Sequence, residues 1–242
     1  MSLLNFLRDN ARWLSAGVML TFLSSFGQTF FISIFSGRIM DGFDLSHGQW
    51  GGIYTLGTSA SAVVMLWAGG LTDRYRTRAL GAVVLTLLAG SCLFMAVNPW
   101  AGLLPLVIFA LRFCGQGMVS HLAVVSMGRW FVATRGKALS VAGLGFALGE
   151  ATLPFTFVSL MLVVDWRFLW VAAAVVCIAA IPVLAALLRE ERTPQSHAET
   201  DHSFGMLARH WTRPEVFRHP LFWFMVPALL GPAAFGTAFF FQ

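Results

Sequence analysis

The sequence predicts an all-α membrane protein, and three observations carry that reading. Of its 242 residues 57% are hydrophobic and only 11% charged, with a mean hydropathy of +0.74. Soluble domains carry roughly 25% charged residues. Six apolar runs, at 13–36, 50–71, 79–97, 102–126, 138–163 and 168–188, have the length of a bilayer crossing, and a seventh fills 221–242. About 20 apolar residues suffice for one helical span. The third observation is that basic residues crowd into alternate connections. Each run is read as a helix because lipid offers no partner to backbone N–H and C=O groups.

Taken in order, the connections give the topology. Arg8 and Arg12 precede the first run; Arg74, Arg76 and Arg78 follow the second; Arg129, Arg135 and Lys137 follow the fourth; Arg189, Arg192, Arg209, Arg213 and Arg218 follow the sixth. These are 13 of the 16 basic residues, while Arg38 and Arg167 lie in the opposite connections and Arg112 falls within a run. By the positive-inside rule the N-terminus and the 189–220 stretch are expected in the cytoplasm, with the chain in the cell (inner) membrane. The net charge of +5 then reflects topology rather than nucleic-acid binding. Trp13, Trp50, Trp100, Trp130, Trp166 and Trp223 lie near run ends, as interfacial anchors do. The first residues lack a basic region ahead of an apolar one, so no cleavable leader is expected and the first span directs insertion. Cys92, Cys114 and Cys177 all fall inside apolar runs, an odd number that argues against a disulfide framework or a zinc site. No metal or cofactor is expected.

Three regions follow: a six-span bundle at 1–188, a cytoplasmic linker at 189–220 and a further span at 221–242. In the linker Trp211, Val216 and Phe217 suit a segment lying on the headgroup surface. Between the second and third spans stands a short polar turn, Gly69-Gly70-Leu71-Thr72-Asp73-Arg74-Tyr75-Arg76-Thr77-Arg78. Glycines permit close approach and sharp turning, and Asp73 can cap a helix end or pair with an arginine.

This turn resembles the signature of the major facilitator superfamily, a glycine, then Leu-x-Asp-Arg, then basic residues. The resemblance implies a six-helix N-terminal bundle built from two three-helix inverted repeats, with the run at 221–242 as a seventh helix opening a second half. It also implies a cytoplasmic latch of the outward-open state, carried by Gly69, Asp73, Arg74 and Arg78, with Arg135 as a partner for Asp73. The alternative is that these arginines only enforce topology. Arg76 stands where the family has a second glycine, a departure that bears on the turn's geometry. Gly27-Gln28 and Gly115-Gln116 fall at comparable depths in the first and fourth spans, a faint echo of the repeat. A family member would continue for five more helices, so the chain reads as a fragment expected not to transport by itself.

A second stretch, Arg129-Trp130-Phe131-Val132-Ala133-Thr134-Arg135-Gly136-Lys137-Ala138, is similar to the loop between helices four and five in the monocarboxylate and oxalate-formate porters of that superfamily. Glu150 follows Gly149 where drug and proton antiporters have proline, which makes drug efflux the less favoured alternative.

Two charges inside apolar runs give the sharpest functional expectation. At 1.5 Å per residue Arg112 and Glu150 both come near the middle of a roughly 30 Å hydrocarbon core. An ionised group there costs about 2.5–3.5 kcal/mol on insertion scales, so each requires a partner or a watery cavity. Either they form an ion pair that locks spans four and five, or they line a transport cavity. In the second case Arg112 binds the carboxylate of an organic anion, for which its planar fork is suited. Glu150 is then a release partner or a site for a coupling proton. Gln116, one turn from Arg112, and Gln28 in span one either add hydrogen bonds to the solute or bond between helices. His121 is expected on the face opposite Arg112 at 3.6 residues per turn, as a packing residue. Gly145 and Gly149, four apart, suit close packing against a neighbouring helix.

The expected function is therefore secondary transport of a small solute by alternating access, with the bilayer and the solute as partners. Two other classes fit less well. Lys137, the sole lysine, lies in a connection and excludes a retinal Schiff base in the seventh span, leaving only a ligand-driven receptor. No paired acids, His-x-x-x-His or Gly-x-Ser-x-Gly pattern occurs in the spans, so an enzyme is not expected.

Overall fold

A computed structural model describes residues 3–190 and 213–240. The chain divides into two compact units, Met1–Arg192 and Thr193–Gln242. All regular structure among the described residues is helical, as the composition requires.

In the first unit α1 (Leu3–Asp9) leads into α2 (Ala11–Leu23), with Asn10 Nδ2 donating to the Phe6 carbonyl at 2.8 Å across the junction. The first span is not one helix. It tightens into a 3₁₀ turn at Ser24–Gly27, breaks at Gln28, whose backbone is extended (φ −80°, ψ 155°), and restarts as α3 (Thr29–Ser33) and α4 (Ser36–Phe43). The residue that ends α4, Asp44, sits in the left-handed region at φ 54°, which a short acceptor side chain tolerates better than most.

The second span is α5 (His47–Ala68), opened by a capping box in which Ser46 and Gln49 satisfy each other's backbone N–H groups. Its 22 residues give about 33 Å, enough to cross. Glycines and hydroxyl side chains dilute its hydropathy, so it is not among the five segments that qualify on both length and apolarity: Ala11–Ser33, Thr77–Val97, Ala101–Trp130, Arg135–Leu160 and Trp166–Leu187. A one-turn helix α6 (Leu71–Arg74) joins α5 to α7 (Thr77–Val97).

The fourth span is also irregular. It runs as α8 (Leu104–Leu111), then eight residues of π-helix at Arg112–Val119, then α9 (Ser120–Trp130). After it come α10 (Arg135–Leu160) and α11 (Trp166–Leu187). Asp165 caps α11 by accepting from the Arg167 backbone N–H at 2.8 Å. The Arg167 guanidinium reaches back to the carbonyls of Ala96 (2.9 Å) and Asn98 (2.8 Å), tying spans three and six at one end.

Packing pairs α7 with α11, α2 with α10, and α5 with the fourth span. Small residues set the α2–α10 distance. A Cβ on Gly145 would lie 2.1 Å from Thr21 Oγ1, and one on Gly149 2.1 Å from Ser25 Oγ. Span one is thus the neighbour that this glycine pair admits, and Thr21 Oγ1 uses the closeness to donate to the Ala142 carbonyl at 2.6 Å. Phe31 packs edge-on against Phe157 (4.9 Å) and Trp170 (5.3 Å), and so joins spans one, five and six in an aromatic core. Large apolar side chains such as Trp67, Phe155 and Leu162 remain outside, as lipid-facing residues do.

The second unit contains α12 (Arg213–Arg218) and α13 (Pro220–Phe240). Trp223 Nε1 donates to the Phe217 carbonyl at 2.9 Å across the bend between them. Trp211 and residues 191–212 of the expected linker lie outside the described residues.

Candidate functional site

The site forms where the two irregular spans cross. Gly27, at the end of the 3₁₀ turn, and Gly115, within the π-helix, meet backbone to backbone. A Cβ on Gly115 would lie 2.6 Å from Gly27 Cα, and a Cβ on Gly27 would lie 2.2 Å from the Leu111 carbonyl oxygen. The two members of the Gly-Gln echo therefore face one another at the crossing. No larger residue fits at either position without moving main chain.

The crossing delivers the carbonyl of the broken helix to Arg112. Its Nη1 donates to the Gly27 carbonyl (3.3 Å) and to Thr29 Oγ1 (3.0 Å), and Tyr54 Oη donates to the same Thr29 oxygen (3.0 Å). The guanidinium carbon lies 5.7 Å from the centre of the Tyr54 ring, within cation–π range. Arg112 is only 7% exposed, yet every oxygen it bonds is neutral. Among the described residues no carboxylate lies within ion-pair distance of it.

One side of this group opens on a cleft of about 490 Å³ between α5 and the fourth span. It is lined by Thr58, Ser61 and Met65 from one wall and by Arg112, Gln116 and His121 from the other. Arg112 Nε and Thr58 Oγ1 are buried and have no hydrogen-bond partner among the described residues. Buried polar atoms are nearly always bonded, so two orphans lining one cleft mark it as a place for a polar ligand.

The expected site residues separate into groups. Arg112 and Gln116 share the cleft. Gln28 is half-buried at the break in span one and is not a lining residue of the cleft. Glu150 is exposed on α10 and makes no ion pair among the described residues, so the structure does not bring it to Arg112. The ion pair between spans four and five, one of the two alternatives, is not formed, and neutral oxygens of span one bond Arg112 instead.

His121 requires a correction. An α-helical count puts it opposite Arg112, but both line the same cleft. The π-helix is the reason. Its i→i+5 turns take an extra residue each, so each residue advances less around the axis. Over Arg112–Val119 the deficit swings His121 back to the face of Arg112.

The charged turn is held from the same span. His121 Nε2 lies 3.2 Å from the Gly69 carbonyl, and Thr72 Oγ1 donates to that carbonyl at 2.8 Å. Asp73 forms an ion pair with Arg129, not with Arg135, and Arg129 Nη1 also donates to the Thr72 carbonyl at 2.5 Å. Arg135 Nε instead donates to the Gly128 carbonyl at 3.1 Å, so its reach is used on its own side of the loop. Arg74 and Arg78 are exposed around the turn. Arg76 has φ −66° and ψ 140°, ordinary extended backbone, so an arginine fits where the family signature has glycine. Sequence reading gave Arg129 no role at the turn and overlooked Thr29 and Tyr54. The only signal for the last two was a hydroxyl within an apolar run.

The Asp73–Arg129 pair is part-exposed, 66% and 38% at the two side chains, so it contributes within about 1 kcal/mol to stability. Its expected effect is local. Arg129→Ala should speed hydrogen exchange of the Thr72–Tyr75 amides with little change in melting temperature, whereas Arg135→Ala should leave that exchange as in the wild type. Equal protection in both variants would argue against a hold on the turn by Arg129.

A helical bundle with the length and apolarity to cross a bilayer repeatedly, enclosing a buried cation at a broken-helix crossing, has the build of a multi-pass membrane transporter. The family model of the Major Facilitator Superfamily matches residues 17–242. The chain belongs to that superfamily, whose members are transporters of small solutes rather than enzymes. No curated protein and no solved structure matches it.

Proposed function

We propose that the protein is a secondary transporter of small organic anions and that Arg112 is the anchor for the solute's carboxylate. One observation supports this above the rest: a nine-tenths buried guanidinium that lines a cleft and is bonded only to neutral oxygens. A buried cation without a counter-charge is costly, and an anion in the cleft supplies that charge. Gln116 adds a donor one turn away, while Gln28 at the break of span one is a second candidate contact. The aromatic-basic stretch at 129–138, similar to that of monocarboxylate and oxalate-formate porters, agrees with a carboxylate solute. Transport follows alternating access around this site, with the N-terminus and the 69–78 turn on the cytoplasmic side of the inner membrane. In this reading Gly69, Asp73, Arg74 and Arg78 form the cytoplasmic latch, closed through Arg129, with Arg135 supporting the adjoining loop.

Saturable uptake into proteoliposomes tests the solute class. Acetate, lactate and succinate should compete with one another, and uncharged amides of the same acids should not. Equal competition by the amides would exclude an anion site. Glu150, an acid past the midpoint of α10 and outside the cleft, is the proposed coupling acid. Glu150→Gln should make uptake insensitive to an imposed pH gradient, and an unchanged response would remove it from that role.

A further inference from the structure

We propose that the notch between the ends of spans three and six binds the headgroup phosphate of an anionic phospholipid, held by Arg76, Arg78 and Arg189. The site lies apart from the Arg112 cleft, and nothing in it depends on which solute that cleft takes. It also gives a place to Arg76, the departure from the family signature.

Helix α7 begins and α11 ends at the same end of the bundle, and a pocket of about 280 Å³ lies between them. The three arginines line it together with the small side chains of Ala79, Ala82 and Ala185. Close by, the two helices are in tight contact, since a Cβ on Gly81 would lie 2.6 Å from Leu184 Cδ2. The space therefore exists because its own lining is alanine, and a larger side chain there would fill it.

The charge in this pocket is of one sign. No acid lines it among the described residues, and the first turn of α7 carries none. The acids nearest along the chain are engaged elsewhere, Asp73 with Arg129, and Glu190 at 3.6 Å from Arg12. Three cations around one small cavity oppose each other, and an anion among them removes that opposition. Phosphate oxygens match the forked donors of guanidinium groups.

Depth distinguishes a lipid from a dissolved phosphate. The 21 residues of α7 extend about 30 Å, the thickness of the hydrocarbon core. Arg76 and Arg78 stand at its first residues and Arg189 just past the end of α11, so all three are at the level of the headgroups. Deeper in the core, Val83 and Leu87 follow Ala79 by four and eight residues, and Ile178 precedes Ala185 by seven. That spacing keeps each on the side of its helix that lines the pocket, and all three are exposed. An apolar strip thus leads from the arginines into the membrane, where an acyl chain can lie. Basic pockets between spans at a membrane face suit anionic headgroups.

The experiment is native mass spectrometry of the purified protein titrated with palmitoyl-oleoyl phosphatidylglycerol or with phosphatidylcholine of the same chains. Wild type should retain one phosphatidylglycerol about 100-fold more tightly than phosphatidylcholine, at about fivefold for each arginine. Arg76→Gln/Arg189→Gln should weaken phosphatidylglycerol about 25-fold on the same scale and leave phosphatidylcholine unchanged. Ala185→Leu keeps every charge but fills the pocket, and should lose most of the preference. Arg8→Gln/Lys137→Gln removes two charges from the same end outside the pocket, and should bind as wild type does. An Ala185→Leu affinity equal to wild type, or a loss in Arg8→Gln/Lys137→Gln equal to that of the arginine pair, would mean diffuse attraction and overturn the site. Displacement of the bound lipid by inorganic phosphate would assign the arginines to a free anion and overturn the lipid. The wild-type comparison needs no variant and stands even if one fails to fold: equal retention of the two lipids overturns the proposal.

Discussion

Replacing Arg112 by alanine is expected to weaken organic-anion binding by about 100-fold. The estimate is the loss of a two-pronged, charge-assisted contact of about 3 kcal/mol, at 1.4 kcal/mol per tenfold. The structural cost is smaller. Thr29 keeps the hydrogen bond from Tyr54, and only the Gly27 carbonyl loses its side-chain donor. Against that loss, a buried cation bonded to neutral groups alone disappears, which offsets part of it. Arg112→Ala should thus stay folded with a melting temperature near wild type while binding collapses. Arg112→Lys should recover only part of the affinity, because a point charge on a flexible stem cannot reproduce the planar fork. Titration calorimetry and thermal unfolding on the same samples separate the two effects. An affinity within threefold of wild type would remove Arg112 from the solute site.

A larger effect on the fold is expected at the crossing. In Gly115→Val the added Cβ would stand 2.6 Å from Gly27 Cα and 2.7 Å from Gly27 N, and these neighbours are main chain. A flexible side-chain tip can move aside, but a helix backbone takes its whole span with it. The variant should therefore fail to give a monodisperse peak in fluorescence-detected size exclusion, and Gly115→Ala should already be impaired. Gly143→Ala supplies the comparison, since a Cβ there meets no atom within 4 Å. That change should be tolerated or stabilising, by up to about 1 kcal/mol from helix propensity alone. Normal behaviour of Gly115→Val would show that spans one and four do not touch at this point.

Hydropathy and charge placement made the class and the order of spans legible, because both are set by the bilayer and need no knowledge of neighbours. The winding of individual spans was not legible. Nothing local at Gln28 demands an extended backbone, and nothing at 112–119 demands π turns. Both follow from two glycines that let one helix press into another, a tertiary event. The error at His121 came from this source, since a period of 3.6 was carried through a segment that does not have it. At the turn, sequence identified Asp73 as an acid needing an arginine but chose Arg135, where the structure pairs it with Arg129. The choice of Arg129 depends on α9 ending beside α6, where one side chain reaches both Asp73 and the Thr72 carbonyl. Glu150 shows the converse limit. Its depth was readable from counting, but the face it occupies was decided by Gly145 and Gly149 turning the other side of α10 to span one.

The π segment has one more consequence. A π-helix and an α-helix of the same length differ in how many residues complete a turn, so the span stores a rotational offset between its two ends. Were Arg112–Val119 to rewind as α-helix around a differently occupied cleft, α9 would rotate as a rod, by the difference in turn per residue summed over the segment. A rotation of that size would carry His121 away from Gly69 and Arg129 away from Asp73 together. Both contacts depend on the phase of one helix, so a change of winding at mid-span reaches both at once.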